Sequence, residues 1–229
     1  MHDAHFHYSE EIVKKQKAFR IPSICNVANP SEYEKIKENN LVYSAGIHPW
    51  YCGKTSWDEM LPIMKEAPFI GEIGMDNVWC ETDHNLQKEV FVKQIQFAEE
   101  RNKPVILHTK GQEKEILEVL KQYPNTYVIH WYSCSDYVEE YNEVASYFTV
   151  GPSVGKDETV TELVRKIDVS KLLLETDGID AIEWAIGNRA YVSTLQHSLN
   201  VIAEIKGISP QVAEQIMDSN FERLMKEGR

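Results

Sequence analysis

Short apolar runs alternate along this chain with longer stretches of helical period, and the alternation repeats from one end to the other. Each short run is bounded by turn residues or by the start of an amphipathic stretch, as strands in repeated βα units are. Strands are predicted over residues 4–6, 21–27, 41–47, 69–73, 105–107, 126–129, 147–150 and 172–174, eight in all. Helices fill the intervals, and two more are predicted after the last strand. Two helix starts carry capping-box spacing, Ser31 to Glu34 and Ser56 to Glu59, where side chains satisfy orphan backbone donors. Val192, Leu195, Leu199 and Ile202 recur at helical spacing. Ser209-Pro210 opens a last helix, with Val212, Ile216, Phe221 and Leu224 expected inward.

Eight strands alternating with helices predict an α/β fold, specifically a (β/α)₈ TIM barrel, with residues 1–229 forming one domain. The rival architecture is a doubly wound open sheet. If it bound a nucleotide it would carry a glycine-rich turn after its first strand, and none follows here.

Composition narrows the class. No run of 18 apolar residues is present, so no membrane span is expected. The first residues lack the basic and apolar regions of a secretory signal. The four cysteines, Cys25, Cys52, Cys80 and Cys134, are scattered and read as reduced thiols. A cytoplasmic location is therefore expected. No docking segment stands out, so the expectation is a monomer with no obligate protein partner. The net charge of −12 argues against a broad basic footprint for duplex DNA. Bound cations would add positive charge that formal counting omits.

The chemistry-bearing residues are not scattered. Five of the eight histidines fall at the C-terminal ends of predicted strands, together with Glu72 and Asp177. In a barrel those ends make one face, where active sites are built. His5 and His7 lie two apart on the first strand, so both point one way and can grip one ion. Alone, a His-x-His pair is more often a polar strand end than a metal site. Asp3 shares that face one step deeper and is expected to orient a histidine. Glu72 sits between Gly71 and Gly74, which allow close backbone approach, and a carboxylate in a barrel mouth needs cations as partners. His108 and His130 end successive apolar strands. One such histidine is usually a satisfied core residue, whereas two at equivalent positions favour ligands. Glu175, two before Asp177, either shares the face or braces its strand. His48 ends the third strand and is a candidate for contact with a phosphate or a proton. Mixed imidazole and carboxylate donors without thiolate suit Zn, Mn, Ni or Fe, and also Mg.

The segments Asp3-Ala4-His5-Phe6-His7, Gly46-Ile47-His48-Pro49, Gly71-Glu72-Ile73-Gly74-Met75-Asp76, Val105-Ile106-Leu107-His108, His130-Trp131-Tyr132-Ser133 and Leu173-Leu174-Glu175-Thr176-Asp177, in this order, resemble the TatD family of metal-dependent hydrolases. Weaker matches are Gln87-Lys88-Glu89-Val90-Phe91 and Asn220-Phe221. The resemblance implies a barrel holding two divalent metal ions and hydrolysing phosphoester bonds, commonly in DNA. It implies that His5, His7 and Asp177 bind one ion, that His108 and His130 bind the other, and that Glu72 is shared. On it rests a mechanism in which a water activated by two metals, roughly 3.5–4 Å apart, attacks in line. Asp177 would orient that water and take its proton, with Glu72 as the second catalytic carboxylate. His48 and Lys110 would contact substrate, and Trp50, Tyr51, Trp131 and Tyr132 either stack on bases or pack the rim.

Three departures from the family pattern lie in substrate-facing loops. Thr109-Lys110 follows His108 where an arginine is common, which loses a planar bidentate grip. Cys134 replaces a common glycine, and Gly178-Ile179-Asp180-Ala181 lacks a proline-containing turn. The expected activity is a deoxyribonuclease of 3′-5′ exonuclease type acting on a phosphoester substrate such as single-stranded DNA. The rivals are a hydrolase of small amides, esters or lactones on the same barrel, and a metal-stabilised binding protein.

Overall fold

The computed structural model describes residues 1–228. Eight parallel strands hydrogen-bond in sequence order from the first to the eighth, and helices alternate with them to form a nearly closed (β/α)₈ barrel. The first half runs β1 (Asp3–His7), α1 (Glu10–Phe19), β2 (Ser23–Val27), α2 (Pro30–Asn39), β3 (Tyr43–Ala45), α3 (Trp57–Glu66), β4 (Phe69–Asp76) and α4 (His84–Glu99). The second half runs β5 (Val105–Lys110), α5 (Glu113–Leu120), β6 (Tyr127–Ile129), α6 (Val138–Val144), β7 (Tyr147–Val150), α7 (Glu158–Lys166) and β8 (Leu172–Leu174). Three helices close the chain, α8 (Ile179–Ile186), α9 (Tyr191–Lys206) and α10 (Pro210–Glu227). The sequence reading had two after the last strand. The helix that the sequence pattern does not predict is α8, eight residues long, which four residues, Glu175 to Gly178, separate from β8.

All eight predicted strands are present, the seventh and eighth with the predicted ends and the other six with one or both ends shifted. β4 and β5 run three residues further than apolar content suggested, to Asp76 and Lys110, because their polar tails still pair across the sheet. β3 is shorter than 41–47 and keeps three residues. The seam between β8 and β1 is stitched by side chains. His2 Nε2 accepts from the Leu174 amide at 2.9 Å, and Asp3 accepts from the Thr176 amide at 3.0 Å and its hydroxyl at 2.7 Å. The Asp177 amide then donates to the His5 carbonyl at 3.0 Å. Asp3 therefore serves the seam and does not orient a histidine as expected. Its buried carboxyl is pushed up to about 7 by desolvation, against the pull of the Thr176 bonds.

The Ser56–Glu59 capping box is formed. The one proposed at Ser31 is not: Asn29 caps α2 by accepting from the Glu32 amide. Pro30 at the first helical position, with no N–H and a preset φ, fixes the start two residues earlier. In α10 the inward stripe is Ala213, Met217, Asn220, Phe221 and Leu224, while Val212 is 43% exposed and Ile216 only partly covered. Asn220 explains the offset, since its amide donates to the carbonyls of Val169 and Leu172 and rotates the helix to that face. Leu195, Leu199 and Ile202 on α9 are fully buried, and Val192 packs at their edge.

Candidate metal centre

The C-terminal strand ends converge on one polar cluster. His5 and His7 come from β1, His48 follows β3, Glu72 lies in β4, His108 in β5, and His130 and Asp177 just follow β6 and β8. Glu72 is nearly fully buried, and its two oxygens face opposite halves of the cluster.

On one side, Glu72 Oε2 lies 3.3 Å from His5 Nε2 and 3.4 Å from His7 Nε2. Asp177 Oδ1 lies 3.5 Å from His5 Nε2 and 3.3 Å from His7 Nε2. Among the described residues, His5 Nε2, Glu72 Oε2 and Asp177 Oδ1 are buried without a hydrogen-bond partner. Three buried polar atoms left unpaired around one point are costly unless something fills it. Tetrahedral ligands about 2.0–2.1 Å from a divalent ion stand roughly 3.3–3.4 Å apart, close to the separations found here. The donor set fits a borderline divalent cation.

On the other side, Glu72 Oε1 lies 2.7 Å from His108 Nδ1, 3.3 Å from His48 Nε2 and 3.8 Å from His130 Nε2. His48 Nε2 and His108 Nδ1 are 3.4 Å apart. His48, Glu72 and His108 thus form one group able to hold an ion, and His5, Glu72 and His130 form another. The structure brings His48 into the carboxylate–imidazole cluster itself. His130 sits between the halves, 3.9 Å from Asp177 Oδ1.

Electrostatics follow from burial and proximity. Burial lowers the basicity of His5, but the Asp177 and Glu72 carboxylates outweigh it and raise it to about 10. Burial likewise opposes the charge on His108, and Asp76 and Glu72 raise it to about 9. His48 has less compensation, and burial pushes it down to about 4. Burial opposes ionisation of Glu72 and Asp177, yet the surrounding imidazoles hold both well below the usual carboxylate range.

Residues behind the cluster fix it in place. Asp76 Oδ2 accepts from His108 Nε2 at 2.9 Å and from the Trp50 indole at 2.7 Å, while Oδ1 accepts from the Val78 and Trp79 amides. Glu175 Oε2 accepts from His130 Nδ1 at 2.7 Å, which settles the two readings left open for it. Two glutamines of α4 clamp backbone on either side. Gln94 bonds both the N–H and the carbonyl of Ile47, next to His48, and Gln87 bonds both backbone groups of Asp76. Asn26 accepts from the Glu72 amide at 2.6 Å. Sequence reasoning assigned no role to Asp76, Gln87, Gln94 or Asn26. A signal existed, since two glutamines seven residues apart fall on one helical stripe, here the buried face of α4.

Local backbone serves the same end. A Cβ on Gly74 would lie 1.9 Å from the His108 carbonyl, so only glycine lets β4 and β5 meet there. Asp177 and Trp131 adopt left-handed φ of 58° and 36°, turning the chain sharply as it leaves β8 and β6. Lys110 is half-buried on the rim, its ammonium donating to Ser133 Oγ at 2.7 Å. Tyr132 is fully buried with its hydroxyl on the Asp136 carbonyl, which removes it from the base-stacking candidates. Trp50 and Tyr51 stay exposed beside His48.

The family model described as TatD related DNase matches residues 2–226. An uncharacterized metal-dependent hydrolase of Bacillus subtilis is 28% identical, over 95% of this chain and 92% of that protein. The human deoxyribonuclease TATDN3 is 24% identical, over 99% of this chain and 95% of its own length. Among solved structures, a TatD homologue of Escherichia coli K12 superposes with a TM-score of 0.83 at 19% identity, covering 97% of this chain and 96% of that one. None of the helices among the described residues is long and apolar enough to cross a membrane.

Proposed function

This chain belongs to the family of TatD-related DNases, metal-dependent hydrolases, and on that premise we propose that it cleaves phosphodiester bonds of DNA from the 3′ end using two divalent ions. The observation that carries the reading is the set of buried, unpaired atoms His5 Nε2, Glu72 Oε2 and Asp177 Oδ1 at the barrel mouth. His5, His7, Asp177 and Glu72 Oε2 would hold one ion, and Glu72 Oε1, His108 and His130 the other, with Zn, Mn, Mg or Ni as the cations. Divalent ions, when bound, supply Lewis acidity to the phosphoryl oxygens and lower the pKa of water.

The chain's own groups do the rest. Asp177 carries a carboxylate at the rim end of the cluster, where it accepts the proton of the attacking water. Glu72 spans the two halves and keeps their charge balanced. His48, buried and held neutral at physiological pH, offers an uncharged ring nitrogen to a phosphate oxygen or leaving group. Lys110 adds positive charge at the rim.

One feature favours a second reading, hydrolysis of a small ester, amide or lactone: the net charge of −12 offers no track for a long polyanion. The decisive assay incubates the protein with single-stranded DNA, a generic phosphodiester, and amide and lactone substrates, each with Mg²⁺, Mn²⁺ or Zn²⁺. Shortening of the DNA from its 3′ end by wild type, and not by Asp177→Asn, is expected. Turnover of amide or lactone alone would replace the nuclease reading with the second one.

A further inference from the structure

Among the described residues, seven large hydrophobic side chains are substantially exposed, and five of them, Trp50, Tyr51, Val78, Trp79 and Trp184, follow C-terminal strand ends. The other two, Phe19 and Val212, lie on α1 and α10. Exposed apolar area concentrated at one mouth marks a ligand surface rather than chance.

Within that set, the indoles form a continuous track that starts at the metal centre. His130 and Trp131 have ring centroids 6.3 Å apart, Trp131 and Trp184 are 6.2 Å apart, and Trp184 and Trp79 are 6.3 Å apart. Each contact is edge-to-face, so no indole is covered by a stacked neighbour, and Trp79 and Trp184 remain 59% and 71% exposed. The inner member is firmly built. The Trp131 indole N–H donates to Ser153 at 3.0 Å, its amide donates to Thr149, and a Cβ on Gly151 would collide with its ring at 2.9 Å. The outer members come from separate segments, Trp79 from the loop after Asp76 and Trp184 from helix α8 after Asp177.

We infer that Trp131, Trp184 and Trp79 form a stacking platform for the bases of a single-stranded DNA end whose phosphodiester lies at the metal centre. The inference rests on the proposed nuclease reading and names how such a substrate is held. Charge decides between the possible sources of affinity. At a net −12, long-range attraction contributes little to a polyanion, and Asp180 and Glu183 on α8 are already occupied by Arg189. Stacking on an uncharged indole face needs no such attraction and accepts any base.

The test measures binding apart from turnover. The metal-loaded protein is titrated into a 5′-labelled oligothymidylate with phosphorothioate linkages at its 3′ end, and into a twin whose last residues are abasic, with anisotropy as the readout. The base-bearing strand should bind about tenfold or more tightly than the abasic one. Trp184→Ala and Trp79→Ala should each erase most of that difference while leaving the abasic affinity unchanged, and Trp184→Phe should restore much of it. Equal affinity for both strands, or alanine variants that keep the preference, overturns the inference. So does a loss of binding that accompanies conversion of a dimer to a monomer in sedimentation, since the platform would then be a self-association surface. Cleavage without base preference leaves the nuclease reading standing and removes the platform. Base preference lost in the alanine variants, with the unmodified all-phosphodiester strand left uncleaved by the metal-loaded protein, keeps the platform and removes the nuclease reading.

Discussion

The imidazole of His130 is held by Glu175, whose buried Oε2 sits 2.7 Å from Nδ1. A carboxylate only accepts, so Nδ1 carries a proton and donates it to Glu175, which turns Nε2 toward Glu72 and Asp177. Ligand histidines are characteristically oriented this way. Glu175→Leu should therefore weaken metal binding about 10–100-fold, with Glu175→Gln intermediate because its amide oxygen can still accept. Calorimetric metal titration would reveal this, and an unchanged affinity in the leucine variant would remove His130 from the ligand set.

Asp76 does the same for His108 and more. Its carboxylate also takes the Trp50 indole and two amides of the loop that carries Trp79. Asp76→Ala leaves these donors without their acceptor, at a cost of about 2–4 kcal/mol in urea unfolding. Asp76→Asn should cost less. If the alanine variant unfolds at the wild-type urea concentration, water has replaced the carboxylate and the bracing role fails.

Filling the cluster should stabilise the fold by mass action. With an ion at about 100 times its Kd, the gain is roughly 2.7 kcal/mol, or a rise in melting temperature of about 5–10 °C for a chain of this size. Chelation should reverse it, and Asp177→Asn should suppress most of it. Scanning calorimetry in EDTA and in Zn²⁺ or Mn²⁺ is sufficient. Identical melts in chelator and metal would mean that the donors hold no ion.

His2 lies at the seam, away from the metal cluster, with Nε2 accepting from Leu174 and Nδ1 against Asp218 at 2.7 Å. Burial lowers its pKa below the usual 6.5, although Asp218 pulls the other way. Below pH 6.5 the unfolded chain therefore binds a proton that the folded chain refuses, so this residue makes stability fall as pH drops from 7 to 5. His2→Gln removes that slope and leaves Asp218 ionised over the same window in both states. Urea melts of metal-free protein at pH 7, 6 and 5 should show a shallower decline in the variant. Parallel curves would contradict the shift.

Much of this molecule was legible before any coordinates. Eight apolar runs at βα spacing determined the barrel, since buried parallel strands must be apolar and must be separated by crossover helices. The polar residues ending those runs determined which side chains share one face, because a barrel gathers all its strand ends there. Element ends were less legible. Apolar content is silent about polar residues such as Thr109 and Lys110 that extend a strand by pairing. The start of α2 depended on Pro30 and Asn29, not on the serine that spacing favoured.

Tertiary structure alone decided what each polar residue faces. Asp3 and Glu175 both stand two residues from an expected ligand, yet one stitches the β8–β1 seam and the other turns His130. Strand periodicity gives the side of the sheet, whereas the partner across the barrel depends on register and on turns such as the left-handed Asp177. Trp184 and Trp79 are more than 100 residues apart in sequence and touch only because the strands after which they emerge open on the same mouth. A sequence fixes residue types and their period. Which groups share a few ångströms is set by closure of the sheet, and that closure places Glu72 between two sets of imidazoles.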